Sequence, residues 1–442
     1  MKRWQTIAGY AVIILGGTLL VAWQLGAWFV ERPVQYSGTV PIPCGLHVDS
    51  RYARSLPGIR DQIAAMMAER RIPGMAVAVA ARGQIVYSEG FGYADVDRRI
   101  PACPQTQFRV GSVSKLFTAV VMARLIERGA IDLDAPVQQY VPSFPDKGAR
   151  ITPRLLAAHR AGIRAYYDDM EAINRTHYAS VTAALAPFAD DPLVAAPGSQ
   201  FVYSNYGYVL LSAAIEGAAR EPFLDLMLRE VFEPLSMNAT VPDDISRSLP
   251  DRSAHYDVET PFSPDGSLVP SPPNDFSSKW ASGGFLSTAE DLARFGNVVV
   301  AANRGGRAGE VLRPQTVDLL TRVQSGVPPL AGYGLGWMSA SDLHLRRVHF
   351  HFGASSGGTA VIAAYPGSGV VVAVVANLGH AKFPFRPLVN IVRPFLPWWR
   401  PDMPIVTAGI LLLSAAFLAV RRNARAGAAQ QAVAADGASR RR

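Results

Sequence analysis

Two strand-pair signatures stand at opposite ends of the central segment, and together they leave few architectures open. Residues 75–80 (MAVAVA) and 85–89 (IVYSE) flank Arg82-Gly83-Gln84, the pattern of a β-hairpin. Residues 359–365 (TAVIAAY) and 370–377 (VVVAVVAN) flank Pro366-Gly367-Ser368-Gly369 and form a second pair. Helix-period patterns fill the space between them. Strands near both ends of one segment with helices between predict a mixed or antiparallel sheet with helices packed on it, an α/β fold. Residues 240–282, dense in Pro, Ser and Asp, predict long loops.

The ends differ from the middle. Residues 4–30 and 403–420 carry no charged side chain, and about 20 apolar residues span a bilayer as a helix. Lys2 and Arg3 flank the first run; Arg421, Arg422 and Arg425 flank the second, with Trp398 and Trp399 before it as interfacial anchors. The positive-inside rule then puts both termini in the cytoplasm and the middle across the cytoplasmic membrane, in the periplasm. No small-x-small cleavage site follows the first run, so an uncleaved anchor is expected rather than a signal peptide. The expected organisation is a stub and transmembrane helix over 1–30, a linker over 31–55, one domain over 56–385, a linker over 386–402, a transmembrane helix over 403–420 and a basic cytoplasmic tail over 421–442. The formal charge of +8 is concentrated at Lys2, Arg3 and the tail, which leaves the middle near neutrality and argues against a nucleic-acid partner. Cys44 and Cys103 would lie in an oxidising compartment. A bridge between them would be worth roughly 4 kcal/mol in the chain-entropy model. Two free buried thiols are the open alternative.

The chemistry begins at Ser112-Val-Ser-Lys115. On a helix starting near Ser112, residues three apart share a face, so Lys115 can accept the Ser112 hydroxyl proton and make a nucleophile. This requires the lysine pKa to fall from about 10.4 to roughly 7–8, a bias of about 3–4 kcal/mol that burial supplies. Tyr203-Ser-Asn205 follows, on a loop leading into a second helix near Ser204. A phenol relays a proton and an amide hydrogen-bonds substrate or lysine. His351-Phe-Gly353 precedes the last strand pair, where the Ala354 N–H is a candidate oxyanion donor. His349 and His351 share one side of a strand without a neighbouring carboxylate or thiol, so no metal or cofactor is expected.

Ser-x-x-Lys, Tyr-x-Asn and His-x-Gly, in this order, resemble the serine β-lactamase and penicillin-binding superfamily. The resemblance is to the branch of class C β-lactamases, D,D-peptidases, D-aminopeptidases and family VIII esterases. It extends to residues 155–163 (LLAAHRAGI), 197–211 (PGSQFVYSNYGYVLL) and 283–295 (GGFLSTAEDLARF), and covers about 56–385. It implies a β-lactamase-like domain, an antiparallel sheet flanked by helices, with a mostly helical second subdomain and the site in the cleft between them. It also implies Ser112 as nucleophile, Lys115 as base, Tyr203 as proton relay and Asn205 beside it. His351 would stand in for the lysine of the third motif. The nitrogens of Ser112 and Ala354 would form the oxyanion hole. His-Phe-Gly departs from the Lys-Thr-Gly of many members: the cation is lost or made pH-dependent, and a substrate-facing hydroxyl becomes a phenyl ring. This weakens the case for β-lactams and D-Ala-terminated peptides and suits an ester or a less acidic amide better, while peptidoglycan peptides stay among the candidates because the site would face their compartment.

Two competitors are distinguishable. Gly353-Ala-Ser355-Ser-Gly357 matches the nucleophile elbow of α/β-hydrolases, but no Asp or Glu lies between Ser355 and His380 to complete a triad. A catalytically silent sensor or peptidoglycan-binding module would need a broken motif, and Ser112, Lys115, Tyr203 and Asn205 are all in place.

Overall fold

The computed structural model describes Gly38 and residues 41–259, 267–301, 311–327, 331–342 and 344–397. They fall into two units. Of the first, only Asp342 and residues 344–346 are described, and there Arg346 Nε pairs with Asp342 Oδ2 at 2.7 Å. Everything below belongs to the second unit, residues 33–341 and 347–398.

Its main sheet is antiparallel. Its strands are β1 (Pro43–Val48), β2 (Gly74–Ala81), β3 (Gln84–Asp95), β4 (Ser325–Val327), β5 (Ala331–Tyr333), β6 (Met338–Ser341), β7 (Arg347–Ser355), β8 (Gly358–Tyr365) and β9 (Val370–Ala376). They lie in the order β1-β3-β2-β9-β8-β7-β6-β5-β4, and the short Ile100–Pro101 strand pairs with β3. Both expected hairpins form. Arg82 and Gly83 take φ of 53° and 83°, the left-handed pair that a two-residue turn needs to match the strand twist. The centre of the sheet joins the N-terminal to the C-terminal hairpin through β2 and β9, paired from Met75↔Ala376 to Ala81↔Val370.

Alternation along these strands feeds two cores, because successive side chains point to opposite faces. Ala76, Ala78 and Ala80 of β2 and Val371, Ala373 and Val375 of β9 pack with helices α2 (Ser114–Glu127), α3 (Asn205–Ala219) and α4 (Ala289–Ala301). Met75, Val77 and Val79, with Val372 and Val374, pack with helices α1 (Leu56–Arg70) and α5 (Phe385–Val392). Small side chains on the first face let α4 approach closely, and a Cβ at Gly296 would meet Val371 at 2.4 Å.

Four expectations are corrected or resolved. The spanning helices are removed from the fold class: among the described residues no helix is long and apolar enough to cross a membrane. The segments on which they were expected, 4–30 and 403–420, and the 421–442 tail lie outside the described residues. The 31–55 linker contains edge strand β1, which pairs with β3 from Pro43↔Phe91 to Val48↔Tyr87, so the domain starts before residue 56. Likewise the 386–402 linker contains most of α5 and a 3₁₀ turn, Arg393–Phe395, with Ile391 and Phe395 buried in the second core. Cys44 and Cys103 are joined as a disulfide with Cα atoms 4.9 Å apart, which ties β1 to the chain leading to Ser112.

Candidate active site

Ser112 lies in a 3₁₀ turn, Gly111–Val113, that runs directly into α2. Two short strands hold this turn: Phe108–Arg109 pairs with Phe285–Ser287, and the Val110 N–H donates to Phe285 O at 3.2 Å. The turn also abuts β7. A Cβ at Gly353 would sit 1.9 Å from Val110 O, and one at Gly111, whose φ is +50°, would sit 2.7 Å from Ala354 N. Only glycine at both positions lets the backbones approach this closely. Strand β6 pairs with β7 only as far as Phe350, so residues 351–355 keep a free edge where the Ala354 nitrogen meets the Ser112 turn.

Lys115 is one turn along α2 and fully buried. Its Nζ lies 3.0 Å from Ser112 Oγ and donates at 2.7 Å to both Asn205 Oδ1 and Ser282 O. Burial pushes its pKa well below the ordinary lysine value. The two carbonyl oxygens can only accept. A neutral amine gives them its two N–H bonds and turns its lone pair to the Ser112 hydroxyl. The pair is thereby set to move the serine proton onto nitrogen.

Asn205 is the first residue of α3, whose N-cap Ser204 accepts the Gly207 N–H at 3.0 Å. The cap fixes the direction in which Asn205 and the preceding Tyr203 project. Desolvation raises the Tyr203 pKa above the ordinary phenol value, and the Ser112 side chain near its hydroxyl offsets part of that rise. Its ring lies 4.8 Å from Lys115 Nζ. Ser112, Lys115, Tyr203 and Asn205 are therefore brought together as the sequence predicts.

His351 reaches the same neighbourhood from β7 but stays buried. Its Nδ1 donates to Phe352 O at 2.6 Å, so Nε2 accepts from Tyr333 Oη at 3.1 Å. Burial beside Lys115 pushes its pKa down to about 3. Of the two expected alternatives, a lost cation or a pH-dependent one, this favours the first: the ring is neutral throughout pH 5–8. Phe352, on the opposite side of the strand, is 46% exposed, and Ala354 is exposed on that same side. His349 bonds Ser339 Oγ at 2.8 Å. Among the described residues no group of three or more His, Cys, Asp or Glu is placed to hold a metal ion. Ser355 is followed by the Ser356-Gly357 turn into β8, not by a helix, so the nucleophile-elbow geometry is absent there.

Sequence reasoning assigned nothing to Ser282, His159, Tyr208 or Tyr333. Ser282 acts through its backbone carbonyl, which has no residue signature. The aromatic groups meet across long separations: His159 stacks on Tyr203 with ring centroids 4.2 Å apart and lies 4.9 Å from Tyr333. The only signal was His159 inside the 155–163 resemblance.

Residues 59–389 match the family model described as Beta-lactamase. The Homo sapiens "Serine beta-lactamase-like protein LACTB, mitochondrial" is 32% identical over 348 residues, which are 63% of this chain and 63% of that protein. The chain thus spans less than two thirds of that relative's length. The octameric penicillin-binding protein homologue from Pyrococcus abyssi superposes with a TM-score of 0.66 at 26% identity, covering 76% of this chain and 77% of the other. A D-stereospecific amidohydrolase from Streptomyces sp. shares the fold, with a TM-score of 0.62 at 24% identity over 74% of this chain and 98% of the other. Carrying the paired Ser112 and Lys115 in this fold, the chain belongs to the Beta-lactamase family of serine hydrolases.

Proposed function

We propose that this hydrolase cleaves an ester or weakly acidic amide through an acyl-enzyme on Ser112. The observation that carries the reading is the distribution of Lys115 partners: two obligate acceptors and one serine hydroxyl around a buried amine. As Ser112 Oγ attacks the substrate carbonyl, its proton moves to Lys115 Nζ. The backbone nitrogens of Ser112 and Ala354 receive the developing oxyanion. As the carbonyl re-forms, the bond to the leaving oxygen or nitrogen breaks, and that atom takes a proton through the Tyr203 hydroxyl, which Lys115 replenishes. Water then adds to the acyl carbonyl, gives a proton to the same groups and releases the acid, restoring the Ser112 hydroxyl.

The preference for an uncharged substrate rests on β7. Its third-motif histidine is held neutral and turned inward, and the position after it, a threonine in the Lys-Thr-Gly of many relatives, carries the exposed phenyl ring of Phe352, which has no group to bond a substrate carboxylate. Phe201, 44% exposed, and Tyr203, 37% exposed, add aromatic surface nearby. The Cys44–Cys103 bond supports an oxidising compartment as the place of work.

A fluorophosphonate probe should label the intact protein, and Ser112→Ala should abolish labelling. Equal labelling of both removes the assignment. A panel of a short-chain p-nitrophenyl ester, a chromogenic cephalosporin and a D-Ala-D-Ala peptide should show the ester turned over fastest. Faster turnover of either carboxylate-bearing substrate overturns the preference.

A further inference from the structure

His159 lies outside every catalytic motif, yet it brackets Tyr203. Its backbone oxygen accepts the Val202 N–H at 2.8 Å, and its Nδ1 accepts the Ser204 N–H at 3.1 Å. The residues on both sides of Tyr203 are therefore bonded to this one histidine. Between those bonds the imidazole lies against the Tyr203 ring, with the planes 36° apart. To reach this position His159 adopts φ +55°, a left-handed conformation uncommon for a residue with a Cβ. The ring is only 2% exposed. An amide N–H always donates, so the bond from Ser204 fixes Nδ1 as the acceptor and places the proton on Nε2. Nε2 is buried without a hydrogen-bond partner. The histidine keeps this arrangement although one nitrogen is unsatisfied, an arrangement that packing alone does not call for.

We propose that His159 is a positioning residue: stacked on Tyr203 and accepting the Ser204 N–H, it holds the Tyr203 hydroxyl at Ser112. This rests on the proton-relay role proposed above for Tyr203.

The test is a double-mutant cycle in the full-length protein, read as kcat and KM on a p-nitrophenyl ester, with thermal melting to confirm folding. His159→Phe keeps an aromatic ring without an acceptor. His159→Asn keeps an acceptor without a ring. Each should lower kcat about tenfold, and His159→Ala about a hundredfold, with KM changed less than about twofold. In a Tyr203→Phe background the same changes should cost less than about twofold, because the hydroxyl they position is gone. Equal losses in both backgrounds would mark a merely structural role and overturn the proposal. If Tyr203→Phe is as active as its parent, the Tyr203 role fails and this proposal with it. If Tyr203→Phe is crippled while the His159 variants are fully active, this proposal alone fails. Nitrogen NMR of the unmutated protein adds a check independent of variant folding: His159 should carry a proton on Nε2 only, and protonation of Nδ1 at neutral pH overturns the proposal.

Discussion

Below its folded-state pKa the Lys115 amine carries three protons and has no lone pair for Ser112. Above it, two protons go to Asn205 Oδ1 and Ser282 O, and the lone pair remains. Burial lowers that pKa well below the ordinary value, so acidification removes the base, whereas alkalinisation toward about 10.4 adds nothing. The pH profile of kcat/KM should therefore rise through an acid limb and level off well before pH 10. A rate still rising through pH 10 contradicts a neutral Lys115. Lys115→Ala should lose at least about 10²-fold in kcat, the lower end for a general base, and near-normal turnover would contradict its role. Ser112 and Lys115 were legible in the sequence because their encounter is local, three residues apart on one helical face. Tyr203 and Asn205 were legible because they stand at a capped helix start. Ser282 was not, since a carbonyl is common to every residue. Which of its two expected states His351 takes was not legible either, because that depends on its burial and on Lys115, a neighbour brought by another element.

At the scale of elements, strand β7 does three things at once. Its inward residues hold His351, its free edge offers Ala354, and its outward face exposes Phe352. Gly353 permits this by lying against the Val110 carbonyl. Gly353→Ala would put a methyl carbon 1.9 Å from that oxygen, so strand and serine turn must separate. Overpacking of this kind costs about 1–3 kcal/mol, and a shift near 1 Å at the oxyanion site costs about 10²-fold in rate. A melting temperature and kcat both equal to the parent's would refute that account. Phe352→Thr should instead leave stability nearly unchanged. By supplying a hydroxyl, it should shift the ratio of cephalosporin to ester hydrolysis about tenfold toward the cephalosporin, the worth of one added hydrogen bond. An unchanged ratio would show that Phe352 does not choose the substrate. Both hairpins were legible because period-two patterns and turn residues are local. Strand β1 was not: its Pro- and Gly-punctuated sequence looks like a linker, and only pairing with β3 and the Cys44–Cys103 bond make it a strand.

Across the whole molecule, the fold keeps several histidines out of water and uncharged. Burial pushes His349 down to about 4 and His351 to about 3, and holds His159 and His255 well below the ordinary histidine value. The unfolded chain binds protons at these residues near pH 6.5, whereas the folded chain refuses them until far lower pH. Each group's contribution is complete above pH 6.5 and declines as pH falls toward its folded value, by up to about 1.4 kcal/mol per pH unit. Lys115 adds to the same trend, since its folded pKa is also depressed. Asp291, whose carboxyl burial raises, works in the opposite sense, but only near the carboxylate range. Glu230, held near 2 by Arg128, Arg124 and Arg229 despite its burial, is ionised in the folded state throughout the window that matters. Urea unfolding at pH 7.5 and pH 5.0 should therefore show a loss of several kcal/mol at the lower pH, most of it below pH 6.5. Equal or greater stability at pH 5.0 would mean that these rings bind protons in the folded state. The uncharged His351 environment, and with it the case for an uncharged substrate, would then have to be abandoned.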